Sequence, residues 1–294
     1  MNIREVSMSR KKNTITNVLL VFMLLVGLSV MLYPTVSDWW NKNMTSRAIS
    51  VYKEAVTNTD DDAIFEMLAK ADEYNRQLAV LRAPFTEYEK IGGYDEILDL
   101  TGTGIMGYIT VPAMNVELPI YHGTSEGVLN IASGHLKGSS FPVGGADTHA
   151  VVSAHRGLPS ARLFTDLDKL VVGDYFTISV LDQVYTYEVE EINIVLPTQV
   201  EPLHIQPDRD LVTLMTCTPY GINTHRLLVR AHRIATMYEA QSVRVPADCI
   251  QVDPLLVVPA IALPLMVILL VFWFRGGKKT VGFDELGVSY KYRY

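Results

Sequence analysis

Two β-rich runs, residues 211–216 and 226–234, stand on either side of a segment dense in turn formers: Thr218, Pro219, Gly221 and Asn223. Apolar and polar residues alternate through the first run, which argues for strands with one buried face. Joined as a hairpin, the runs put Cys217 at the tip of one strand and Arg226 at the near end of the next. A guanidinium beside a thiol favours the thiolate and offers a partner for developing negative charge. A free cysteine is also often a buried, inert core residue, and these residues alone leave both readings open.

The same patterning recurs upstream. Candidate strands are 106–111, 116–121, 150–154, 175–180 and 184–194, so seven are counted in all, separated by Gly, Pro and Asn turns. Many short strands so spaced predict a mostly β fold, a closed or nearly closed barrel. Residues 124–133 and 160–170 read as short helices. In front of the barrel, residues 41–100 form a helical arm, for which Thr59 and Asp60 are capping residues. Ile64, Met67, Leu68, Ala71, Tyr74 and Leu78 recur at helical spacing, and the face they make packs on the β domain. Pro84, in Arg82-Ala83-Pro84-Phe85, ends the helix.

Two runs without a charged side chain, 15–33 and 255–274, lie towards the ends of the chain. At about 1.5 Å per residue each is long enough as a helix to cross most of a hydrocarbon core of about 30 Å. Arg4, Arg10, Lys11 and Lys12 precede the first; Arg275, Lys278 and Lys279 follow the second. Basic flanks on the outer side of both runs predict two membrane spans, both termini cytoplasmic and residues 34–254 outside. A cleavable signal peptide is the alternative for the first run, but Tyr33-Pro34 followed by Trp39-Trp40 offers no small-x-small cleavage site. The division expected is a cytoplasmic N-terminus (1–14), a span (15–33), an extracellular arm (34–101), a barrel (102–235), a juxtamembrane linker (236–254), a second span (255–274) and a cytoplasmic tail (275–294).

A formal charge of −7 provides no basic field for nucleic acid. Two cysteines, Cys217 and Cys249, make no disulfide framework, and Cys249 is given no catalytic role. Glu190 and Glu191 are neighbours on a predicted strand, point to opposite faces and cannot by themselves chelate a cation. No zinc-type spacing or Gly-rich phosphate loop occurs, so no metal or cofactor is expected.

The run TLMTC followed by TPYGINTHRLLV resembles the active-site signature of the sortases, closest to their class C, pilus-assembling branch. Ser153-Ala154-His155-Arg156-Gly157 resembles the strand end that carries the family's histidine. Residues 107–109 with 118–123 resemble its opening strands. The resemblance implies an eight-stranded barrel, one strand more than counted, with the eighth expected from a division of 184–194 or from the segment after Leu196. It also implies a cysteine transpeptidase with Cys217 as nucleophile, His155 as acid-base and Arg226 as the group stabilising negative charge. Spacing alone does not choose among His122, His135, His149, His155, His204, His225 and His232; the resemblance selects His155. Thr216, Ser153 and Arg156 are candidates for shaping the groove or supporting the histidine.

The implied substrates are Leu-Pro-x-Thr-Gly-type sorting signals cut between Thr and Gly, and the acceptor is a lysine amine of a pilin. Ala83-Pro84-Phe85 resembles the branch's Asp-Pro-aromatic lid with the acid replaced, its Phe85 ring expected over the thiol. Two other functions remain open from sequence: a membrane-tethered cysteine endopeptidase with water as acceptor, and a non-catalytic peptide-binding module.

Overall fold

Alternating inward residues close a sheet on itself. In a computed structural model, residues 3–236, 264, 266, 281–283 and 289–291 are described. Eight strands form a closed barrel: β1 (Ile105–Val111), β2 (Val116–His122), β3 (Ser133–His135), β4 (Thr148–Ser153), β5 (Tyr175–Val180), β6 (Gln183–Val195), β7 (Asp210–Thr218) and β8 (His225–Ile234). Their order is β1-β2-β3-β4-β7-β8-β6-β5, with β1 and β5 closing the ring. The β2–β3 and β4–β7 pairs are parallel and the rest antiparallel. Ile109, Ile120, Val152, Ile178, Val212, Leu214 and Val229 fill the interior.

The eighth strand is not where the sequence placed it. It is β3, three residues long, and Ser-Gly-His shows no alternation to read; only its pairing with β2 and β4 makes it a strand. Residues 183–195 stay one strand, kinked by a bulge between Val189 and Glu191. Of the two short helices expected, the first shrinks to α4 (Glu126–Leu129), capped by Ser125. The second is a single turn of 3-10 helix, Leu167–Lys169.

The N-terminal helices also depart from the expected lengths. The first, α1 (Ile3–Thr57), is one 55-residue helix that continues through Pro34. Trp39 and Trp40 are therefore exposed residues within a helix, not residues beyond its end. Among the described residues one helix, Leu19–Thr57, is long and apolar enough to cross a membrane. This corrects the expectation of two spans with both termini cytoplasmic. The 255–274 run, apart from Pro264 and Met266, lies outside the described residues, as does Cys249.

The chain divides into two compact units. One comprises Met1–Thr35 and Ser242–Tyr294 and includes a two-stranded pair, β9 (Val281–Phe283) with β10 (Ser289–Lys291). The other, Val36–Gln241, holds arm and barrel together. Within it α2 (Asp61–Ala79) begins at Asp60, whose carboxylate accepts from Ala63 N at 2.8 Å. Its face of Ile64, Ala71, Tyr74 and Leu78 joins the barrel's core, with Met67 and Leu68 packed at the edge. Buried Asn75 fixes the register of that contact. Its amide donates to Phe141 O at 3.0 Å and accepts from Phe141 N at 2.7 Å. Tyr52 of α1 does the same for the barrel seam, donating to Met106 O and accepting from Leu181 N. The turn after it, α3 (Pro84–Glu87), starts with proline where the amide needs no partner.

Two buried histidines brace the barrel as neutral rings. His135 donates from Nε2 to Ser140 O at 2.8 Å and accepts at Nδ1 from Tyr94 Oη at 2.8 Å. His149 donates from Nδ1 to His204 O at 2.9 Å and accepts at Nε2 from Thr213 Oγ1 at 2.7 Å. Burial pushes both down to about 4 against the opposing effect of those carbonyls. An unfolded histidine takes its proton near pH 6.5, so between there and pH 4 the unfolded chain binds protons that the folded one refuses. Stability present above pH 6.5 is lost as pH falls, by up to about 3 kcal/mol for each ring. Urea unfolding at pH 7.5 and 4.5 should show this drop, and His149→Gln should make it shallower; an equally steep profile in the variant would contradict the assignment.

Candidate active site

Strand pairing carries the site residues to one edge of the sheet. Along β7, Val212 and Leu214 point inward, which sends Thr213, Met215 and Cys217 outward. Cys217 is the Cα partner of Arg226 in the β7–β8 pair, and both are half-buried. His155 reaches the same edge through the parallel pair. Ser153 of β4 is in register with Met215, and Ala154 N donates to Met215 O at 3.2 Å. His155 follows directly, its carbonyl accepting from Phe164 N at 3.1 Å. Buried Thr216 points the other way and donates to Ala154 O at 2.8 Å, tying the residue before the cysteine to the residue before the histidine.

The structure thus brings Cys217, Arg226 and His155 to one edge through strand pairing. Among the described residues, neither the thiol nor the His155 ring has a hydrogen bond or ion pair. The Arg226 guanidinium donates from Nη1 to Asn223 O at 3.3 Å and His225 O at 3.2 Å, carbonyls of its own loop. Ser153 is buried in the sheet between Gly134 and Met215. Arg156 is nearly buried, ion-paired with Asp168 and set over the Tyr220 ring.

The remaining histidines have separate places. His135 and His149 are buried, and His122 bonds to Gly104 O and Ile97 O. His232 faces Glu190, and His225 bonds to Thr224 Oγ1. His204 stacks on Phe85, ring centroids 5.9 Å apart. That contact locates the Ala83-Pro84-Phe85 segment. Pro84 is buried and Ala83 exposed. The Phe85 ring packs on an outer-face cluster of Val151, Leu203 and Leu228, with Leu136, Val195 and Met215 around it. Met215 lies two residues before Cys217 on the same face, so the segment sits beside the candidate nucleophile. Gly138 permits the approach: a Cβ there would stand 2.7 Å from Phe85 Cα.

On β6, opposite Arg230 of β8, the acidic pair behaves unlike the sequence reading. The bulge at Glu190 turns two successive carboxylates to one side, where both engage Arg230. Glu190 also pairs with Arg209. Burial opposes its ionisation, but hydrogen bonds from Arg209 and Arg230 outweigh it and hold its carboxyl below the usual range. His204, Asp168, Tyr220 and Gly138 are parts of the site's surroundings that sequence reading passed over. Only Tyr220 carried a signal, since it lies inside the hairpin loop. A hollow of about 210 Å³ opens elsewhere between α1 and β2, lined by residues that include Asn41, Lys42, Glu117 and Arg162.

The Thr216 bond is open to direct test. Thr216→Val keeps the shape but leaves the Ala154 carbonyl unpaired, which should cost about 1–3 kcal/mol in urea unfolding. No measurable loss would show that the bond does not hold the two strand ends together.

Comparison with known proteins bears on this arrangement. A family model for the sortase domain matches residues 109–234. The crystal structure of sortase C1 from Streptococcus agalactiae is 47% identical, with a TM-score of 0.60 over 64% of this chain and 98% of that one. A sortase C from Clostridium perfringens, solved with the C-terminal cell wall sorting motif, is 40% identical, with a TM-score of 0.56 over 65% of this chain and 99% of that one. Sortase A of Streptococcus agalactiae serotype III is 32% identical over 130 residues, 43% of this chain and 52% of that protein. The chain spans little more than half the length of the curated relatives it matches. Those relatives bear class A and class D names, whereas the solved structures of higher identity and nearly full coverage are of class C. The chain belongs to the sortase family, in its class C branch.

Proposed function

We propose that the chain is a cysteine transpeptidase that cuts sorting signals and passes the acyl group to a pilin amine. The observation that carries this is the register that sets Cys217 opposite Arg226 while the β4–β7 pair delivers His155 to the same edge. Cys217 attacks the carbonyl between Thr and Gly of a Leu-Pro-x-Thr-Gly-type signal and forms a thioester. His155 protonates the departing amine, then takes the proton from the incoming one. Arg226 leaves its loop carbonyls to hold the carbonyl oxygen as it gains negative charge, a contribution of about 3 kcal/mol for one such donor. Thr216 and Ser153 fix the strand ends, and Arg156 steadies the turn after His155. The resemblance to a sortase C solved with a sorting motif supports the donor class, and the pilus island named for another supports a pilin acceptor. Residues 102–235 form the catalytic barrel and 34–101 the arm, and the apolar part of α1 is the tether to a bilayer.

Mass spectrometry of the product formed with a sorting-signal peptide and a lysine-bearing pilin should show a new amide bond. Cys217→Ala should abolish the thioester, His155→Ala should nearly do so, and Arg226→Ala should lower turnover at least about a hundredfold with the fold intact. Hydrolysed peptide as the sole product would favour the endopeptidase, and full activity of Cys217→Ala would exclude catalysis by this thiol.

Ala83-Pro84-Phe85 acts in this reading as a lid lacking the acid that could pair with Arg226. Its hold is apolar, at most about 1.5–3 kcal/mol for a fully buried phenylalanine. Phe85→Ala should therefore speed alkylation of Cys217 by a small thiol reagent, and Ala83→Asp should slow it. Unchanged rates in both would show that the segment does not gate the thiol.

A further inference from the structure

The loop between Cys217 and Arg226 is fastened to the turn after His155 by one aromatic ring. Tyr220 is 60% exposed, and an exposed loop tyrosine ordinarily carries no structural duty. Its inner edge says otherwise. Gly157 has φ +77°, and a Cβ built there would lie 2.8 Å from Tyr220 Cε2 and 3.0 Å from Cζ. The ring thus rests on the backbone two residues after His155, at a position that a glycine alone leaves open. Arg156, between them, places its guanidinium 5.9 Å from the ring centroid, within the range of a cation–π contact.

The other side of this clamp is equally fixed. The Arg156 side chain is 10% exposed, and its Nη2 is ion-paired with Asp168 at the Leu167–Lys169 turn. Gly157 N donates to Thr165 Oγ1 at 3.1 Å, and His155 O accepts from Phe164 N at 3.1 Å. The His155 turn is therefore held from behind by segment 164–168. In front it meets Tyr220. On the loop, Ile222 N and Asn223 N both donate to Pro219 O, and Asn223 O receives Arg226 Nη1. Displacing Tyr220 moves the loop whose carbonyl the Arg226 guanidinium grips.

We propose that Tyr220 is a positioning residue, a ring wedged on Gly157 and Arg156 that sets the Arg226 loop against the His155 turn across Cys217. This rests on the assignment of those three residues as the reacting groups. Tyr220 is not one of the three reacting groups; it acts through the geometry of two of them. A displacement of about 1 Å between groups that must act together can cost about a hundredfold in rate. The hydroxyl has no part in the contact, whereas the ring does, so Tyr220→Phe and Tyr220→Leu separate the two.

The test uses the full chain in detergent, a Leu-Pro-x-Thr-Gly-type peptide with an amine acceptor, and alkylation of Cys217 as a readout independent of turnover. Tyr220→Leu should lower kcat at least about tenfold with KM within about twofold, and should change the pH profile of kcat, because His155 and Arg226 no longer keep their spacing. Tyr220→Phe should restore the parent values. Arg156→Lys keeps a cation for Asp168 but loses the flat stack, and should fall between them. Combined with Tyr220→Leu, it should add less than its own effect, as expected for two halves of one contact. A rise in KM with kcat unchanged would overturn the proposal by making Tyr220 a substrate contact. Parent-like kinetics in Tyr220→Leu would also overturn it, while inactive Cys217→Ala and Arg226→Ala in the same assay would leave the site assignment standing. Turnover surviving in Cys217→Ala would instead remove the assignment and the proposal together. Should Tyr220→Leu fail to fold, a parent-like kcat and pH profile in Arg156→Lys would decide against it.

Discussion

The parallel pairing of β4 with β7 is the constraint on which the site depends. The two strands are separated in sequence by β5 and β6, so nothing local holds them in register. Two side-chain hydrogen bonds do so at opposite ends of the seam. His149 accepts from Thr213 near the start, and Thr216 donates to Ala154 O at the finish. Both are buried, and each would be costly to lose because a polar partner would be left without water. Because side chains alternate along a strand, a slip by one residue would send Cys217 into the core and Thr216 outward. Register, polar satisfaction and placement of the thiol are thus one requirement.

Residues that follow a period were legible in the sequence, and residues placed by pairing were not. Seven of the barrel's strands could be read from alternation, and the arm's buried face from its helical spacing, because burial imposes those periods. Ser133–His135 has no such period; it is a strand by virtue of its neighbours. The bulge that turns Glu190 and Glu191 to the same side breaks the alternation that placed them on opposite faces. Likewise α1 runs through Pro34, where the local rule anticipates an end. Cys217 and Arg226 could be placed together because they close one hairpin, whereas the way His155 reaches them depends on a pairing across two intervening strands.

The outer face of the same three strands explains how the Ala83-Pro84-Phe85 segment finds its place without an acid. Val151, Met215 and Leu228 come one each from β4, β7 and β8, and Leu203 completes the floor. Phe85 seats on this floor and stacks on His204, whose carbonyl is held by His149. The seam that aligns His155 with Cys217 therefore also supports the residue against which the arm docks. The arm cannot be repacked independently of the strand ends, because Gly138 brings its backbone against that of Phe85 and has no room for a side chain.

Charge along β8 completes the arrangement. Outward positions alternate Arg226, Leu228, Arg230 and His232. Arg230 is neutralised by Glu190 and Glu191, and Glu190 also takes Arg209. Leu228 lies under Phe85. Among the described residues no carboxylate pairs with Arg226, whose donors go to two carbonyls, and Ala83 supplies no acid from the arm. A carbonyl satisfies a hydrogen bond without cancelling charge, so the field of Arg226 stays directed at its surroundings, and the half-buried setting screens it less than open water would. On one strand, then, one arginine is spent on structure and another keeps its charge. The second is the one opposite the thiol, where the proposed reaction develops negative charge.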